Sequence, residues 1–176
     1  FNVLGVGTGP GALNFYGSVG NATASNFNNT GGLINMQADG GSSKNAVTFN
    51  TKALGGTSDL DYTYTWSGAA LASNTYNFNG SGNSRVAVDT FLGGAGSTSD
   101  RLVVGGNATG TTYITVHDTN AGPGAFNTTG ITVAAVQGAG STNFKVDPNS
   151  PNYANFGQLG AIEKGFFVNP LLYVAG

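Results

Sequence analysis

The sequence predicts an all-β protein, and three observations predict it. Gly, Asn, Thr and Ser recur too densely for any stretch of about 12 residues to hold a helix. Short runs that alternate apolar with polar side chains follow one another along the chain. Gly- and Asn-rich clusters separate those runs, glycine supplying positive φ and asparagine tolerating it.

Taken in order, the expected strands are Ala12–Val19, Gly32–Met36, Ala46–Asn50, Asp61–Trp66, Thr75–Phe78 and Arg85–Leu92. They continue as Arg101–Val104, Thr112–Val116, Gly130–Val136, Asn143–Val146 and Gly165–Val174. Alternation is clearest at Val47 and Phe49 and at Tyr62, Tyr64 and Trp66. The turn clusters are Asp39-Gly40-Gly41, Gly55-Gly56, Asn79-Gly80 and Gly105-Gly106-Asn107. Two architectures satisfy this reading. A β-sandwich would use hairpins, one of them closed at Asn79-Gly80. A parallel solenoid would stack short rungs through Gly- and Asn-rich corners, with asparagine ladders along its axis. No exact repeat stands out, so alternation alone leaves both open.

Composition narrows the function classes. The 176 residues suit one domain or one elongated module. A compact chain of this size buries roughly 70% of its unfolded surface, so it can build a core without staples. The absence of cysteine removes thiol catalysis, disulfides and thiolate metal sites. Charged residues are only 8%, against roughly 25% in an ordinary soluble domain, so neutral hydrogen-bonding groups supply the polarity. A net charge of −2 and a 39% hydrophobic content argue against disorder. Six Lys and Arg against eight Asp and Glu leave no basic surface, and nucleic acid is not an expected partner. No apolar run reaches the roughly 20 residues of a membrane helix. Phe1 opens in mid-pattern without a signal peptide, as expected of an excised fragment.

Several motifs invite chemistry and decline it on inspection. Gly93–Asp100, reading GGAGSTSD, approaches a calcium-binding nonapeptide, but Thr98 stands where the aspartate is required. A β-corner ending with Asp100 capping backbone amides is expected instead. Gly5–Gly11, reading GVGTGPG, has Pro10 in the third-glycine place of a dinucleotide loop and lacks a Walker Lys-Ser/Thr; a corner or frayed terminus is expected. His117 is the only histidine, so no two-histidine metal site can form, and beside Asp118 it is expected at an exposed turn. The pair Asp59 and Asp61 could face a sugar, as β-helical polysaccharide enzymes require, but reads better as a solvated edge. Tyr62, Tyr64 and Trp66 share one face at period two; inward they are core, outward a ligand-contact face.

One stretch separates the two architectures. Val86–Gly94 (VAVDTFLGG), Ser99–Gly106 (SDRLVVGG) and Ala108–Thr112 (ATGTT) together resemble the junction near the C-terminal end of autotransporter passengers, which precedes the membrane-spanning barrel. Tyr113–Val116, Ala121–Gly124 and Thr129–Gly138 follow in the family's order, and Asn143–Val146 and Leu171–Val174 stand at its closing strands. Thr30–Met36 (TGGLINM) is similar to a rung edge of these passengers. The resemblance runs from about residue 30 to the end and is strongest over 85–138. Leu54–Phe78 and Asp147–Glu163 are longer than its pattern requires.

The resemblance implies a right-handed parallel β-helix of Gram-negative type V autotransporters, ended by an autochaperone-like cap. Residues 1–80 would form rungs with an aromatic-rich insertion near 54–78, and residues 81–176 the cap. It implies a structural, non-enzymatic module that nucleates and caps the β-helix during outer-membrane translocation and supports adhesion or virulence. The partner implied is the protein's own translocating β-barrel. The alternative reading, from the residues themselves, is a module that binds a host cell-surface protein or glycan directly through the Leu54–Phe78 loop, with Tyr62, Tyr64 and Trp66 as its ligand-contact residues. No cofactor or metal is expected, and the location implied is the bacterial surface or the extracellular medium. A β-helical carbohydrate-active enzyme ranks last. Leu102, Val104, Ile114, Val116, Ile131 and Val133 are the expected interior positions.

Overall fold

The computed structural model describes residues 14–16, 26–37, 45–49, 62–66, 77–140 and 143–174. Among them there is no α-helix. The strands are β1 (Asn14–Tyr16), β2 (Asn26–Thr30), β3 (Leu33–Asn35), β4 (Asn45–Phe49), β5 (Tyr62–Trp66), β6 (Asn77–Thr90), β7 (Arg101–Val104), β8 (Ala108–Asp118), β9 (Ala134–Val136), β10 (Phe144–Val146), β11 (Tyr153–Ala154), β12 (Ala161–Lys164) and β13 (Phe167–Pro170).

Three sheets result. The first has the order β1-β3-β6-β8-β10, with β2 also paired to β6; the second has the order β5-β4-β7-β9; the third is β11-β12-β13. In the first, only the β1–β3 pair is antiparallel. The second is parallel throughout, and the third is antiparallel throughout. A parallel neighbour cannot be reached by a tight hairpin. Here the chain reaches it by visiting the other sheet: β6 lies in the first, β7 in the second, β8 in the first, β9 in the second and β10 in the first. Each return lands one strand further along.

That arrangement places chemically like residues on top of one another. Ile34, Val86, Ile114 and Val146 are successive register partners across four strands, and all four are buried. Val47 pairs with Leu102 in the second sheet, and both are buried. Phe27 stacks on Phe78 with ring centroids 5.9 Å apart. Phe78 in turn lies 6.4 Å from Phe144, two strands away in the sheet. Its direct partner in the intervening strand is Ala108, whose small side chain leaves room for the two rings to meet. These rows merge into one core with Met36, Val88, Leu92, Val104, Val116 and Ile162. Their burial supplies the main stabilisation, roughly 1.5–3 kcal/mol for each large aliphatic side chain.

The structure corrects two expectations about turns. Asn79 and Gly80 do not close a hairpin; they lie inside β6, paired with Asn28 and Asn29 on one side and Thr109 and Gly110 on the other. Glycine is needed at 80 for proximity, because a Cβ there would collide with Thr112 Oγ1. The two strands expected at Thr75–Phe78 and Arg85–Leu92 are one strand, β6, with a register shift between Gly80 and Ser84. Gly82 and Asn83 take positive φ of 53° and 70° there, so the turn-like residues make a bulge rather than a reversal. β6 therefore runs through residues 80 and 81, where the sequence reading divides the chain.

Of the aromatic-rich insertion, the strand β5 and the first residues of β6 are described. β5 lies parallel to β4, with Tyr62, Tyr64 and Trp66 opposite Asn45, Val47 and Phe49. Gly5–Gly11, Asp59 and Asp61 lie outside the described residues.

Candidate functional site

Among the described residues, specific polar contacts run along the strand stack to its C-terminal end. They start from ladders of polar side chains. Asn79 Nδ2 donates to Asn28 Oδ1 at 2.7 Å, and Thr109 Oγ1 donates to Asn79 Oδ1 at 2.6 Å. A second ladder uses the main chain: Asn77 Oδ1 accepts from the Asn107 amide at 2.8 Å, and Asn107 Oδ1 from the Ala139 amide at 2.9 Å. Gln37 Nε2 donates to the carbonyls of Val88 and Thr115, at 2.9 and 3.1 Å, bridging β6 and β8. The asparagine bonds join one pass of the chain to the next and Gln37 spans two, so successive passes are held in a single register.

Charged groups extend this pattern. Asp147, directly after β10, is buried. Its Oδ2 accepts from Arg85 Nε at 2.8 Å and Thr115 Oγ1 at 3.0 Å, and its Oδ1 from the Asn149 amide and Nδ2, both at 2.9 Å. Burial raises the carboxyl's pKa; the bonds from Asn149, Thr115 and Arg85 outweigh it and hold Asp147 below its ordinary value. One carboxylate thus fastens β6, β8 and the turn that ends the parallel stack.

The loop from β6 to β7 is closed by hydrogen bonds. Asp100 Oδ2 accepts from the Asp89 amide at 2.8 Å, while the Asp100 amide donates to the Asp89 carbonyl at 2.9 Å. The hydroxyls of Thr90 and Ser99 meet at 2.7 Å. Asp100 therefore caps backbone at a β-corner, in the geometry expected of GGAGSTSD. His117 is not at a turn: it lies near the end of β8, half exposed, with Nδ1 2.5 Å from Asp89 Oδ1. Strand pairing sets this contact, since Asp89 and His117 are register partners. Asp118, next in the chain, pairs with Lys164 of β12 at 2.5 Å and accepts the amides of Leu92 and Asn120. Lys164 Nζ also donates to the Asn120 carbonyl.

Beyond β10 the pairing changes character. The Asp147 amide donates to the Ile114 carbonyl at 2.8 Å, and the Val116 amide to Ser150 Oγ at 3.1 Å, so this turn occupies the edge of β8 past the last residue of β10. The Val146 amide donates to the Leu159 carbonyl at 2.7 Å. The antiparallel sheet β11-β12-β13 follows and sends Ala161 and Ile162 into the core. An apolar cavity of about 520 Å³ lies between it and the stack, lined by Ile114, Val116, Val133, Val146, Ile162 and Phe167 among others. A second, of about 450 Å³, lies beside residues 129–136. Phe126, Phe166, Leu172 and Val174 stand exposed at this end.

The expected interior positions fall as follows. Leu102, Val104, Ile114 and Val116 are buried, and Ile131 and Val133 are half-buried against the same core. The candidate ligand-contact residues Tyr62, Tyr64 and Trp66 lie on β5, with side chains outside the described set. Among the described residues, no group of three or more His, Asp or Glu gathers to hold a metal ion, and no helix is long and apolar enough to cross a membrane.

Sequence reasoning missed the fastening by Asp147, Arg85 and Thr115, which shares no local motif. It also missed a legible signal. Asn26-Phe27-Asn28 recurs as Asn77-Phe78-Asn79, and the two triplets are register partners. Asn77–Gly80 is echoed by Asn107–Gly110 on the next strand, with asparagine and glycine kept at both ends.

Comparison with known proteins adds one positive finding. The family model described as Autochaperone Domain Type 1 matches residues 57–149. No curated protein and no solved structure matches the chain.

Proposed function

The chain belongs to the type 1 autochaperone domain family, and from that premise we propose that it is the structural module that nucleates and caps the β-structure of an autotransporter passenger as it crosses the outer membrane. The observation that carries the reading is the change of pairing after β10: a stack built by parallel addition ends in an antiparallel sheet that puts Ile162 into the shared core. A stack whose first sheet gives way to an antiparallel sheet at its C-terminal end is set to grow by adding passes toward its N-terminal end. A quasi-one-dimensional array needs one stable unit to meet the cost of nucleation, after which each pass adds through nearest-neighbour contacts.

Three finer readings belong to the proposal. We read the passes between the first and second sheets as turns of a parallel β-helix, right-handed because parallel crossovers are so in about 98% of cases. Family membership implies association with an autotransporter β-barrel and a location at the Gram-negative surface or outside the cell. The role assigned involves no catalytic step, and the contacts described serve register and closure.

Two measurements test the proposal. Far-UV circular dichroism during denaturant unfolding should give a β spectrum and one cooperative, reversible transition, the behaviour of a self-sufficient template; a gradual, non-cooperative profile would overturn the template role. In a passenger carrying this segment, Leu102→Asp should reduce stability and surface display together. Undiminished display of that variant would remove the nucleating role.

A further inference from the structure

Among the described residues, the second sheet stops one strand short of the first. The chain alternates between them through β6, β7, β8, β9 and β10, so β10 extends the first sheet while β9 remains the outermost strand of the second. The hydrogen bonds of β9 identify which groups are left at its open edge. Val133 O accepts from the Leu102 amide at 3.1 Å, and the Gln137 amide donates to Val104 O at 2.9 Å. In a parallel ladder the groups facing one neighbour alternate along the strand. The amides and carbonyls of Ala134 and Val136 therefore face away from β7.

Ala134 and Val136 line the 450 Å³ cavity, whose lining joins residues 129–136 to Phe144, Leu159 and Pro170–Val174. Half-buried main-chain donors beside apolar walls are costly to leave without partners, and an open strand edge invites another strand. The segment that shares the cavity has the composition of one. Leu171 and Leu172 are apolar, and Tyr173 and Val174 are β-forming residues. The segment is anchored at its start, where the Leu171 amide donates to the Gly160 carbonyl. Past that anchor it makes no strand pairing, and Leu172 and Val174 are 71% and 82% exposed. They stand two apart, so in an extended strand they share one face.

We propose that Leu172–Val174 is a strap that closes onto β9 as an additional strand, pairing with the outward groups of Ala134 and Val136 and covering the cavity with its own side chains. Closure brings the second sheet level with the first and removes the open edge at the end of the stack. It needs no partner molecule, because tether, strand and acceptor edge belong to one chain.

Amide hydrogen exchange on the intact chain tests this. With the strap closed, the amides of Ala134 and Val136 exchange at least about tenfold more slowly than in a Leu172→Asp/Val174→Asp variant, whose Val86 and Ile114 amides stay protected. Equal exchange in the two proteins overturns the proposal, and so does protection that vanishes on dilution, which would assign the covering strand to a second copy. If the double variant loses protection at Val86 and Ile114 as well, a second measurement decides. The chain has no cysteine, so a single thiol introduced by Val174→Cys reports its own accessibility. Closure slows its alkylation at least about tenfold relative to Asn155→Cys, at an exposed position; equal rates show an open strap and overturn the proposal.

Discussion

Arg85 Nε donates to Asp147 Oδ2 at 2.8 Å across the intervening strand β8, joining β6 to the turn after β10. The carboxylate is buried while the guanidinium is a third exposed, so the two partners have unequal stakes in the pair. Removing the charge of Asp147 disturbs a desolvated acceptor with four donors around it. Asp147→Asn is expected to lower unfolding free energy by roughly 1–3 kcal/mol, and Arg85→Gln by less. Urea midpoints of the two variants check the order, and a larger loss in Arg85→Gln would contradict this account.

The same carboxylate gives a pH dependence of definite sign. Its folded pKa is held below the ordinary value, so its ionised form contributes stability in full above the unfolded pKa. That contribution is lost as pH falls through the lowered folded value. Unfolding midpoints measured from neutral pH downward should therefore fall below about pH 4. Asp147→Asn should show a shallower fall over the same range.

The aromatic row sets a packing prediction. Phe78 touches Phe27 on one side and Phe144 on the other and is fully buried. Phe78→Ala should cost about 3–5 kcal/mol through lost transfer energy and the cavity left behind. Ala108→Leu should cost about 1–3 kcal/mol for the opposite reason, since it fills the space through which Phe78 and Phe144 meet. Denaturant unfolding measures both.

Gly110 predicts a backbone limit. Its φ is +72°, and a Cβ would collide with the Gly80 carbonyl on the neighbouring strand. Gly110→Ala is expected to destabilise by roughly 1–3 kcal/mol, whereas Gly96→Ala, at a similar φ of +84° with no atom near its Cβ, should cost less. Thermal unfolding of the pair separates collision from strain.

Leu102 and Ile131 belong to one core. Leu102→Ala should cost about 2–5 kcal/mol. Ile131→Ala, at a half-buried position on the same core, should cost less. Chemical denaturation of the two variants checks the ranking.

Composition and alternation determined much of this. Dense Gly, Asn, Thr and Ser with short alternating runs exclude helices, and they assign Leu102, Val104, Ile114 and Val116 to an interior because an apolar residue at every second place buries one strand face. The run Val86–Thr112 identified the family, since its residues serve a local corner and three strands consecutive in the chain, β6, β7 and β8.

Tertiary structure decided what lies between distant segments. Whether Asn79-Gly80 turns or continues depends on Thr112 standing against Gly80, which no local rule contains. Whether Gly82-Asn83 reverses the chain or bulges it depends on β8 holding β6 on both sides of the shift. Asp89 meets His117 because parallel strands bring them into register, and Asp147 meets Arg85 because the turn after β10 reaches back across β8. Propensity acts within a few residues; register is chosen by the whole stack, because a one-residue slip would turn every buried row of this core toward water.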